Sequence, residues 1–318
     1  MKSMVRGGID LGGTHMAAGI LAEDGKLLAV AERPTRPGRP AEEMAGDLAG
    51  ALEEAAEKAG LRPEELASVG IGVPGAANDE TGVVTNCNNL GWYHLPLREL
   101  MHRYISRPVH LGNDANAAAL AESRYGAGKG TKSCVMITLG TGVGAGIVLD
   151  GRVWNGAFGY AGEIGHMCLV PGGVPCTCGR SGCVEQYCSA TGLIRMGQRA
   201  CELFRDTRMM TEAGGDLSRL NARMILDCAR DGDPRAVSVF QEYVRFLATV
   251  IDGMIVLLEP EMIILGGGVS RAGSFLLDAV SAQLPRWEAD EKRPDIPLRA
   301  ACLGNEAGMI GAALLGDA

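Results

Sequence analysis

The sequence contains no run of five or more Lys or Arg residues, although it carries 30 basic and 38 acidic side chains. Its formal net charge is -8 at pH 7. Surfaces that bind nucleic acids or anionic membranes usually present clustered basic residues. The charge pattern therefore argues against both kinds of partner, and a small anionic ligand would need local hydrogen-bond donors.

Long hydrophobic runs are also missing. The longest apolar stretch lies around residues 254–258, far short of the ~20 residues that cross a bilayer. Residues 1–9 have no apolar core of the signal-peptide type. We therefore expect a cytoplasmic protein. Its 318 residues, 47% of them hydrophobic, suffice for a buried core and for two domains.

Ten cysteines are present, and in the cytosol they are expected as thiols or metal ligands rather than as disulfides. Three of them follow a histidine in the pattern His166, Cys176, Cys178 and Cys183. This donor set suits a closed tetrahedral Zn²⁺ site, which leaves no open position for a catalytic water. We predict a structural zinc that holds a loop. The other cysteines are expected to be small buried side chains: Cys87, Cys134, Cys168, Cys188, Cys201, Cys228 and Cys302.

Two acidic residues flank the cysteine loop, Glu163 before it and Glu185 after it. They are either surface acids, the usual state of Glu, or acceptors that the loop holds toward a ligand rich in hydroxyl groups. His166 either binds only the metal or uses its second ring nitrogen for the same ligand.

Two similar β patterns suggest two α/β halves. Strands are predicted at residues 5–10, 15–21 and 27–33, and a second meander at 133–153. Helical patterns occur at 41–59, 114–125, 190–205, 221–231 and 233–258. A last helix at 305–315 could pack against the first half. The boundary between the halves is expected near residues 112–114.

A glycine-rich turn joins the first two strands of each half. Asp10, Gly12, Gly13 and Thr14 form the first, and Gly140, Thr141 and Gly142 form the second. Such turns let backbone N–H groups approach a phosphate, although a single Gly-Gly turn is more typical of a plain hairpin. Their recurrence favours phosphate binding. Gly266, Gly267 and Gly268 follow a buried strand and form either a bare turn or a contact to a flat base or sugar.

Two further glycine-rich segments do not match the nucleotide-binding motifs that they resemble. Residues 126–131 do not satisfy the P-loop spacing, and residues 140–145 lack both the helix and the acidic residue of a dinucleotide site. Asp114 lies at a strand-to-helix junction, where an aspartate commonly serves only as an N-cap.

Taken together, the motifs resemble the ROK family of sugar kinases over nearly the whole chain. They occur in the family's order and comprise residues 10–14, 73–75, 113–118, 139–142, 162–166, 176–185 and 266–268. Two positions depart from the family pattern: His15 replaces a common Lys, and Cys87-Asn88 replaces a common Pro just before Asn89.

The resemblance implies an α/β fold of the actin-like ATPase (RNase H-like) type, with two α/β domains and a cleft between them. The expected small domain comprises residues 1–112 and 304–318, and the large domain residues 113–303. ATP with Mg²⁺ is the implied cofactor. Asp10 would lie near Mg²⁺ and the phosphates. The implied nucleotide contacts are Gly12, Gly13, Thr14, Gly140, Thr141, Gly142, Gly267 and Gly268.

On the sugar side, the resemblance implies that Asp114 is the general base. The implied sugar contacts are Gly75, Asn89, Asn113, Asp114, Glu163, His166 and Glu185. The expected reaction is ATP-dependent phosphorylation of a hexose, first of all glucose, at its 6-hydroxyl. The alternatives are N-acetylmannosamine, N-acetylglucosamine, fructose or allose as substrate, or a non-catalytic sugar-sensing protein. No nucleic-acid or membrane partner is expected, and a homodimer or homotetramer is implied.

Overall fold

The computed structural model describes residues 4–285 and 295–317. Strands and helices alternate through these residues, and the expected α/β class is confirmed. The strands are β1 (Arg6–Leu11), β2 (His15–Leu21), β3 (Leu27–Pro34), β4 (Val69–Val73), β5 (Ala76–Asn78), β6 (Val83–Cys87), β7 (Trp92–Leu95), β8 (Val109–Asn113), β9 (Cys134–Leu139), β10 (Val143–Leu149), β11 (Arg152–Val153), β12 (Met262–Gly266) and β13 (Leu298–Ala300).

The helices are numbered in the same way. They are α1 (Ala41–Lys58), α2 (Leu97–Met101), α3 (Asp114–Tyr125), α4 (Glu185–Cys188), α5 (Ala190–Leu203), α6 (Arg208–Glu212), α7 (Ala222–Arg230), α8 (Pro234–Leu258), α9 (Gly267–Ser270), α10 (Ser274–Gln283) and α11 (Ala307–Ala313). Among the described residues, no helix combines the length and the apolar character needed to cross a membrane.

The chain forms two compact units. The first comprises Met1–Cys134, Gly146–Gly162 and Cys302–Ala318, and the second comprises Val135–Ala145 and Glu163–Ala301. The division thus falls at residue 134 and within β10, whereas the sequence pattern places a boundary near residues 112–114. The predicted domain ranges stay a prediction.

The first unit contains a five-stranded sheet with the order β3-β2-β1-β4-β8. The first three strands form an antiparallel meander, and β4 runs parallel to both β1 and β8. Gly25, in the turn between β2 and β3, has φ +88°, a conformation that glycine adopts without strain. All five residues of β4 are buried, as expected for a parallel strand covered on both faces.

Neighbouring residues of β1 face two different helix layers, because side chains alternate along a strand. On one side, Leu52 of α1 is fully buried and lies against Gly7. On the other side the backbone of α11 approaches directly. A Cβ added at Gly8 would lie 2.0 Å from the carbonyl oxygen of Met309. One added at Gly70 of β4 would lie 1.7 Å from that of Ala312. The small residues of α11 thus place the end of the chain on the first sheet.

A smaller antiparallel sheet, β5-β6-β7, also belongs to the first unit. The short 3-10 turn Asn88–Leu90 joins β6 to β7 and carries Asn89. This sheet follows directly on β4, so it places residues 75–90 beside the carboxyl end of the parallel strands.

In the second unit, β12 runs parallel to β13 and all five of its residues are buried. In the strand order β11-β10-β9-β12-β13, β12 lies between β9 and β13. The long helix α8 begins at Pro234, and the Asp233 side chain caps it by accepting from the N–H groups of Arg235 (3.1 Å) and Ala236 (2.8 Å). The buried Tyr243 hydroxyl of α8 donates to the Cys188 carbonyl at 2.6 Å and so ties α8 to the end of α4.

All ten cysteines are free thiols. The expectation of buried side chains is wrong for two of the seven scattered cysteines, Cys168 and Cys302, which are exposed. Cys168 pairs with Cys183 in an isolated β-bridge on the exposed cysteine loop. Cys302 precedes α11, where its backbone N–H donates to Glu122 at 2.8 Å and its Sγ atom lies 3.6 Å from the Glu122 Oε2 atom.

Candidate functional site

The predicted metal ligands lie together. One ligand atom each from His166, Cys176, Cys178 and Cys183 falls within 4.8 Å of all the others. The His166 Nδ1 atom is 3.7 Å from the Cys176 Sγ atom, and the Cys178 and Cys183 Sγ atoms are 3.6 Å apart. Tetrahedral Zn–S bonds of about 2.3 Å place sulfur atoms about 3.8 Å apart. The four side chains therefore have the spacing of a zinc site before any metal is considered.

Backbone hydrogen bonds and glycines shape the cysteine loop. The Cys176 N–H donates to Arg180 (2.8 Å), and the Gly179 N–H donates back to Cys176 (3.0 Å). Gly179 and Gly182 have φ +86° and +79°. A Cβ at Gly182 would lie only 1.7 Å from the Val170 carbonyl oxygen. The turn thus requires glycine at residue 182, directly before Cys183.

The thiols ionise very unevenly without a cation. At Cys176, burial opposes ionisation, but hydrogen bonds from Cys178, Cys183 and His166 outweigh it and lower the thiol pKa to about 6. Burial, reinforced by the neighbouring Cys178 and Cys176, raises the pKa of Cys183 to about 12. Clustered thiolates repel one another, so a divalent cation is what would let all of them ionise.

Glu185 lies beside the second glycine turn. Its Oε2 atom accepts from the Val143 N–H at 3.2 Å, and a Cβ at Gly142 would lie 2.3 Å from the same oxygen. Glu185 is the first residue of α4 and follows Cys183 by two positions. The carboxylate is therefore held between the cysteine loop and the turn. Glu163, by contrast, is exposed and precedes the short 3-10 turn that ends at His166.

The second glycine turn is fastened to the start of α5. The Ala190 N–H donates to the Gly140 carbonyl and the Thr191 hydroxyl to the Thr141 carbonyl, both at 2.8 Å. Gly267, with φ +82°, packs against the backbone of Leu139, which precedes the turn. The carboxyl ends of β9 and β12 thus bring Gly140 and Gly267 together, whereas a Cβ at Gly268 would have nothing within 4 Å.

In the first unit, the turn between β1 and β2 has its own support. The buried Thr35 hydroxyl donates to the Gly12 carbonyl at 2.7 Å, and the Thr35 N–H donates to Thr14 at 2.9 Å. A Cβ at Gly13 would lie 3.9 Å from the Asn89 Cβ, so the structure brings this turn close to Asn89. No local pattern in the sequence indicates Thr35, because its role depends on pairing between distant segments.

Asp10 is the penultimate residue of β1 and lies next to α11, where a Cβ at Gly308 would lie 2.2 Å from its Oδ2 atom. Burial raises the pKa of this carboxyl above its ordinary value. A buried carboxylate is costly unless a positive partner compensates it. A cation beside Asp10 would supply that compensation, as expected of a residue near Mg²⁺.

Asn113, rather than Asp114, caps α3. The Asn113 side-chain oxygen accepts from Ala115 N–H (2.9 Å) and Asn116 N–H (3.1 Å), and its amide donates to the Gly75 carbonyl (3.1 Å). Asp114 is the first helical residue, and its Oδ1 atom accepts from the Ala115 N–H at 2.8 Å. The capping role that an aspartate commonly takes at such a junction is therefore filled by its neighbour Asn113, which also brings Gly75 to the same junction.

The α/β fold and the glycine and cysteine motifs define a class of protein, the sugar kinases of the actin-like ATPase fold. The structure is similar to that of a ROK family glucokinase from Streptomyces griseus in complex with glucose and AMPPNP, with a TM-score of 0.81 and 36% identity over 98% of each chain. This similarity supports the actin-like ATPase fold class. The family model described as ROK family matches residues 6–318, and the chain belongs to the ROK family.

Two curated relatives cover almost the whole chain. A glucokinase of Streptomyces coelicolor is 37% identical over 309 residues, which are 96% of this chain and 95% of that protein. An N-acetylmannosamine kinase of Escherichia coli is 32% identical over 96% of each chain. The predicted family, fold class and enzyme class, that of a hexose kinase, are confirmed.

Proposed function

We propose that this protein transfers the γ-phosphoryl group of ATP to the 6-hydroxyl of a hexose, with glucose as its main substrate. The observation that carries the proposal is the division of roles at the start of α3. Because Asn113 caps the helix, the Asp114 carboxylate is not needed there as a cap. The glucokinase relatives support the same reaction and the same donor.

Asp114 would be the general base of this reaction. The positive end of the helix dipole of α3 stabilises negative charge at its first residue, which favours a carboxylate able to accept a proton. As the sugar 6-oxygen attacks the γ-phosphorus, the hydroxyl proton would pass to the Asp114 carboxylate. Phosphoryl transfer otherwise depends mainly on alignment and on charge stabilisation, so one base is sufficient.

The glycine turns would hold the nucleotide. The N–H groups of Gly12 and Gly140 donate within their own turns, to the His15 carbonyl (2.9 Å) and the Gly142 carbonyl (3.0 Å), and so would shape the two turns. The N–H groups of Gly13 and Gly142 suit phosphate oxygens, Thr14 and Thr141 would add hydroxyl groups, and Gly267 and Gly268 would lie beside the nucleoside. Mg²⁺, when bound with ATP, neutralises charge on the phosphates. Asp10 would face this ion, which explains why a carboxyl destabilised by burial occupies the end of β1.

Zinc would organise the sugar side without taking part in the chemistry. His166 faces the thiols with Nδ1, so its Nε2 atom, across the ring, would donate to a sugar hydroxyl. Glu163 and Glu185, on either side of the cysteine loop, would accept from sugar hydroxyls, together with Asn113, Gly75 and Asn89. The proposal thus couples metal binding to sugar affinity.

The decisive experiment combines a sugar panel with one substitution. Purified protein is incubated with ATP, Mg²⁺ and each of glucose, mannose, fructose, allose, N-acetylglucosamine and N-acetylmannosamine, and ADP and the phosphorylated product are measured. We expect glucose 6-phosphate as the main product. A preference for N-acetylmannosamine would favour the alternative that the 32% identical relative suggests.

Asp114→Asn should lower kcat by about 100-fold or more while leaving sugar binding intact, because general bases typically contribute 10²–10⁴-fold. Asp206→Asn, at an exposed position, is the matched control and should keep full activity. Near-normal turnover of the Asp114→Asn variant would refute the base assignment. No ADP formation with any sugar would favour a sugar-sensing protein instead.

A further inference from the structure

An exposed aromatic loop lies in the first unit, directly before Glu163. We define the aromatic loop as residues 154–160. Trp154 is 54% exposed, Phe158 80% and Tyr160 46%. The chain has only 3 Trp and 5 Phe residues, and one of each lies within this single loop. Large aromatic side chains are usually at least partly buried, so this concentration at the surface indicates a binding role.

The two ends of the aromatic loop are fixed to elements that carry candidate sugar residues. Near its start, the Asn155 side-chain oxygen accepts from the Asn116 amide at 3.1 Å, on the first turn of α3 and two residues after Asp114. Near its end, a Cβ at Gly159 would lie 3.0 Å from the Ala77 carbonyl oxygen in β5, two residues after Gly75. Phe158 therefore lies on a loop held between the segments of Asp114 and Gly75.

Asn116 strengthens this connection. It is only 2% exposed, and its side-chain oxygen has no hydrogen-bond partner in the structure. Buried polar groups normally all form hydrogen bonds. In Asn116 only the amide N–H does so, to Asn155, and the side-chain oxygen is left without a partner. The unpaired oxygen costs stability, and the hydrogen bond from Asn116 to Asn155 holds the aromatic loop against α3.

Glycines allow the rest of the aromatic loop to turn sharply. Gly156 and Gly159 have φ +70° and +79°, and the Ala161 N–H donates to the Asn155 carbonyl at 3.2 Å, which closes the loop at its base. The base is thus hydrogen-bonded, whereas Phe158 projects into solvent.

We propose that Phe158 stacks on the apolar C–H face of the hexose bound at Asp114 and thereby determines sugar affinity and specificity. The proposal rests on the proposed hexose kinase function. The β anomer of glucose carries all of its ring hydroxyls equatorially, so its faces are flat and present C–H groups, which suit the face of an aromatic ring. An epimer with an axial hydroxyl on the stacked face would lose this contact and would leave that hydroxyl against an apolar surface.

The test compares three substitutions of Phe158 in the full-length protein. Phe158→Ala should raise the KM for glucose about tenfold, with the KM for ATP changed less than about twofold. Phe158→Tyr, which retains the ring, should behave like the wild type, whereas Phe158→Leu should resemble Ala. Leu203→Ala, at a site that is 68% exposed, is the control for the loss of a surface apolar side chain and should leave both KM values unchanged.

Specificity gives a second readout. The ratio of kcat/KM for glucose to that for at least one of mannose, allose and galactose should fall in Phe158→Ala. Direct sugar binding to the Asp114→Asn/Phe158→Ala double variant, measured by calorimetry against Asp114→Asn alone, tests the contact without catalysis. Unchanged glucose KM and unchanged binding would overturn the role of Phe158 while leaving the kinase function intact. A wild-type protein that phosphorylates no hexose would instead overturn the proposed function.

Discussion

At the junction of β8 and α3, two adjacent side chains carry different tasks. Asn113 supplies the cap and the bond to Gly75, and Asp114 adds a carboxylate on the first turn of the helix. Both side chains accept from the Ala115 N–H, and only Asn113 also joins the helix to Gly75. Asn113 therefore carries the larger part of the capping, and Asp114 is held at the same helix end for the proposed chemistry.

We expect Asn113→Ala to lower the free energy of unfolding by about 1–2 kcal/mol, because both the cap and the amide bond to Gly75 are lost. Asn113→Asp retains a capping oxygen and loses only the amide donor, so its loss should be smaller. Urea unfolding of both variants measures the difference. If the Asp variant were as unstable as the Ala variant, capping would not be the main contribution of Asn113.

Asp10 connects stability to pH. Burial raises its pKa, so the folded protein binds this proton more tightly than the unfolded chain does. The ionised carboxylate therefore costs stability at pH values above its folded pKa, and the cost disappears as the pH falls below the ordinary aspartate value. The free energy of unfolding thus falls as the pH rises, whereas a salt-bridged aspartate makes it rise.

Asp10→Asn should accordingly be more stable than the wild type at pH 7 without added Mg²⁺, and the advantage should shrink as the pH is lowered toward about 4. The same variant should bind Mg·ATP poorly. Urea titrations at both pH values and nucleotide binding by calorimetry measure the two effects, with Asp206→Asn as the control. An Asp10→Asn variant less stable than the wild type at pH 7 would contradict the stability argument.

Strands and helices whose ends are marked by turn glycines or capping residues were predicted well from the sequence. The first meander, predicted at residues 5–10, 15–21 and 27–33, is β1, β2 and β3 with boundaries within one residue, because turn glycines mark both hairpins. The helix predicted at 233–258 is α8. The sheet β5-β6-β7 had no prediction of its own, because its strands are only three to five residues long and one pairing contains a register shift.

The site residues divide in the same way. The cysteine cluster was predictable, since four metal ligands with short spacings are a local pattern. The bond from Thr35 to Gly12, the contact of Glu185 with the Gly142 turn and the bond between Asn116 and Asn155 were not. Each joins residues that are 23 to 42 positions apart, and no local spacing encodes such pairs.

The cysteine loop can be tested as an element through two glycines. Gly182 and Gly172 both have positive φ, so Ala at either position costs about 1–2 kcal/mol of backbone strain. Only Gly182→Ala also places a Cβ 1.7 Å from the Val170 carbonyl oxygen, whereas Gly172 has open space. We expect Gly182→Ala to lose zinc readily in a chelator challenge and to raise the sugar KM, and Gly172→Ala to keep both near wild type. Metal analysis and kinetics check this, and equal zinc retention in the two variants would contradict it.

At the scale of the whole molecule, the last helix completes the first sheet. Residues 302–318 belong to the same unit as the N-terminal strands, although more than 200 residues separate them along the chain. Gly8 and Gly70 permit this return because their lack of a side chain lets the backbone of α11 lie on the sheet. One face of the N-terminal sheet is therefore covered only when α11 packs against it.

Gly70→Ala should consequently destabilise the protein by several kcal/mol, since the new Cβ would lie 1.7 Å from the Ala312 carbonyl oxygen and either β4 or α11 must shift. Gly253→Ala provides a control of opposite sign. Gly253 lies inside α8 with nothing within 4 Å of its Cβ position, so Ala there should raise stability by about 0.5–1 kcal/mol through helix propensity. Urea unfolding measures both variants. The same chemical change is thus expected to lower the free energy of unfolding at Gly70 and to raise it at Gly253. Equal changes in the free energy of unfolding at the two positions would contradict the close approach of the α11 backbone to β4.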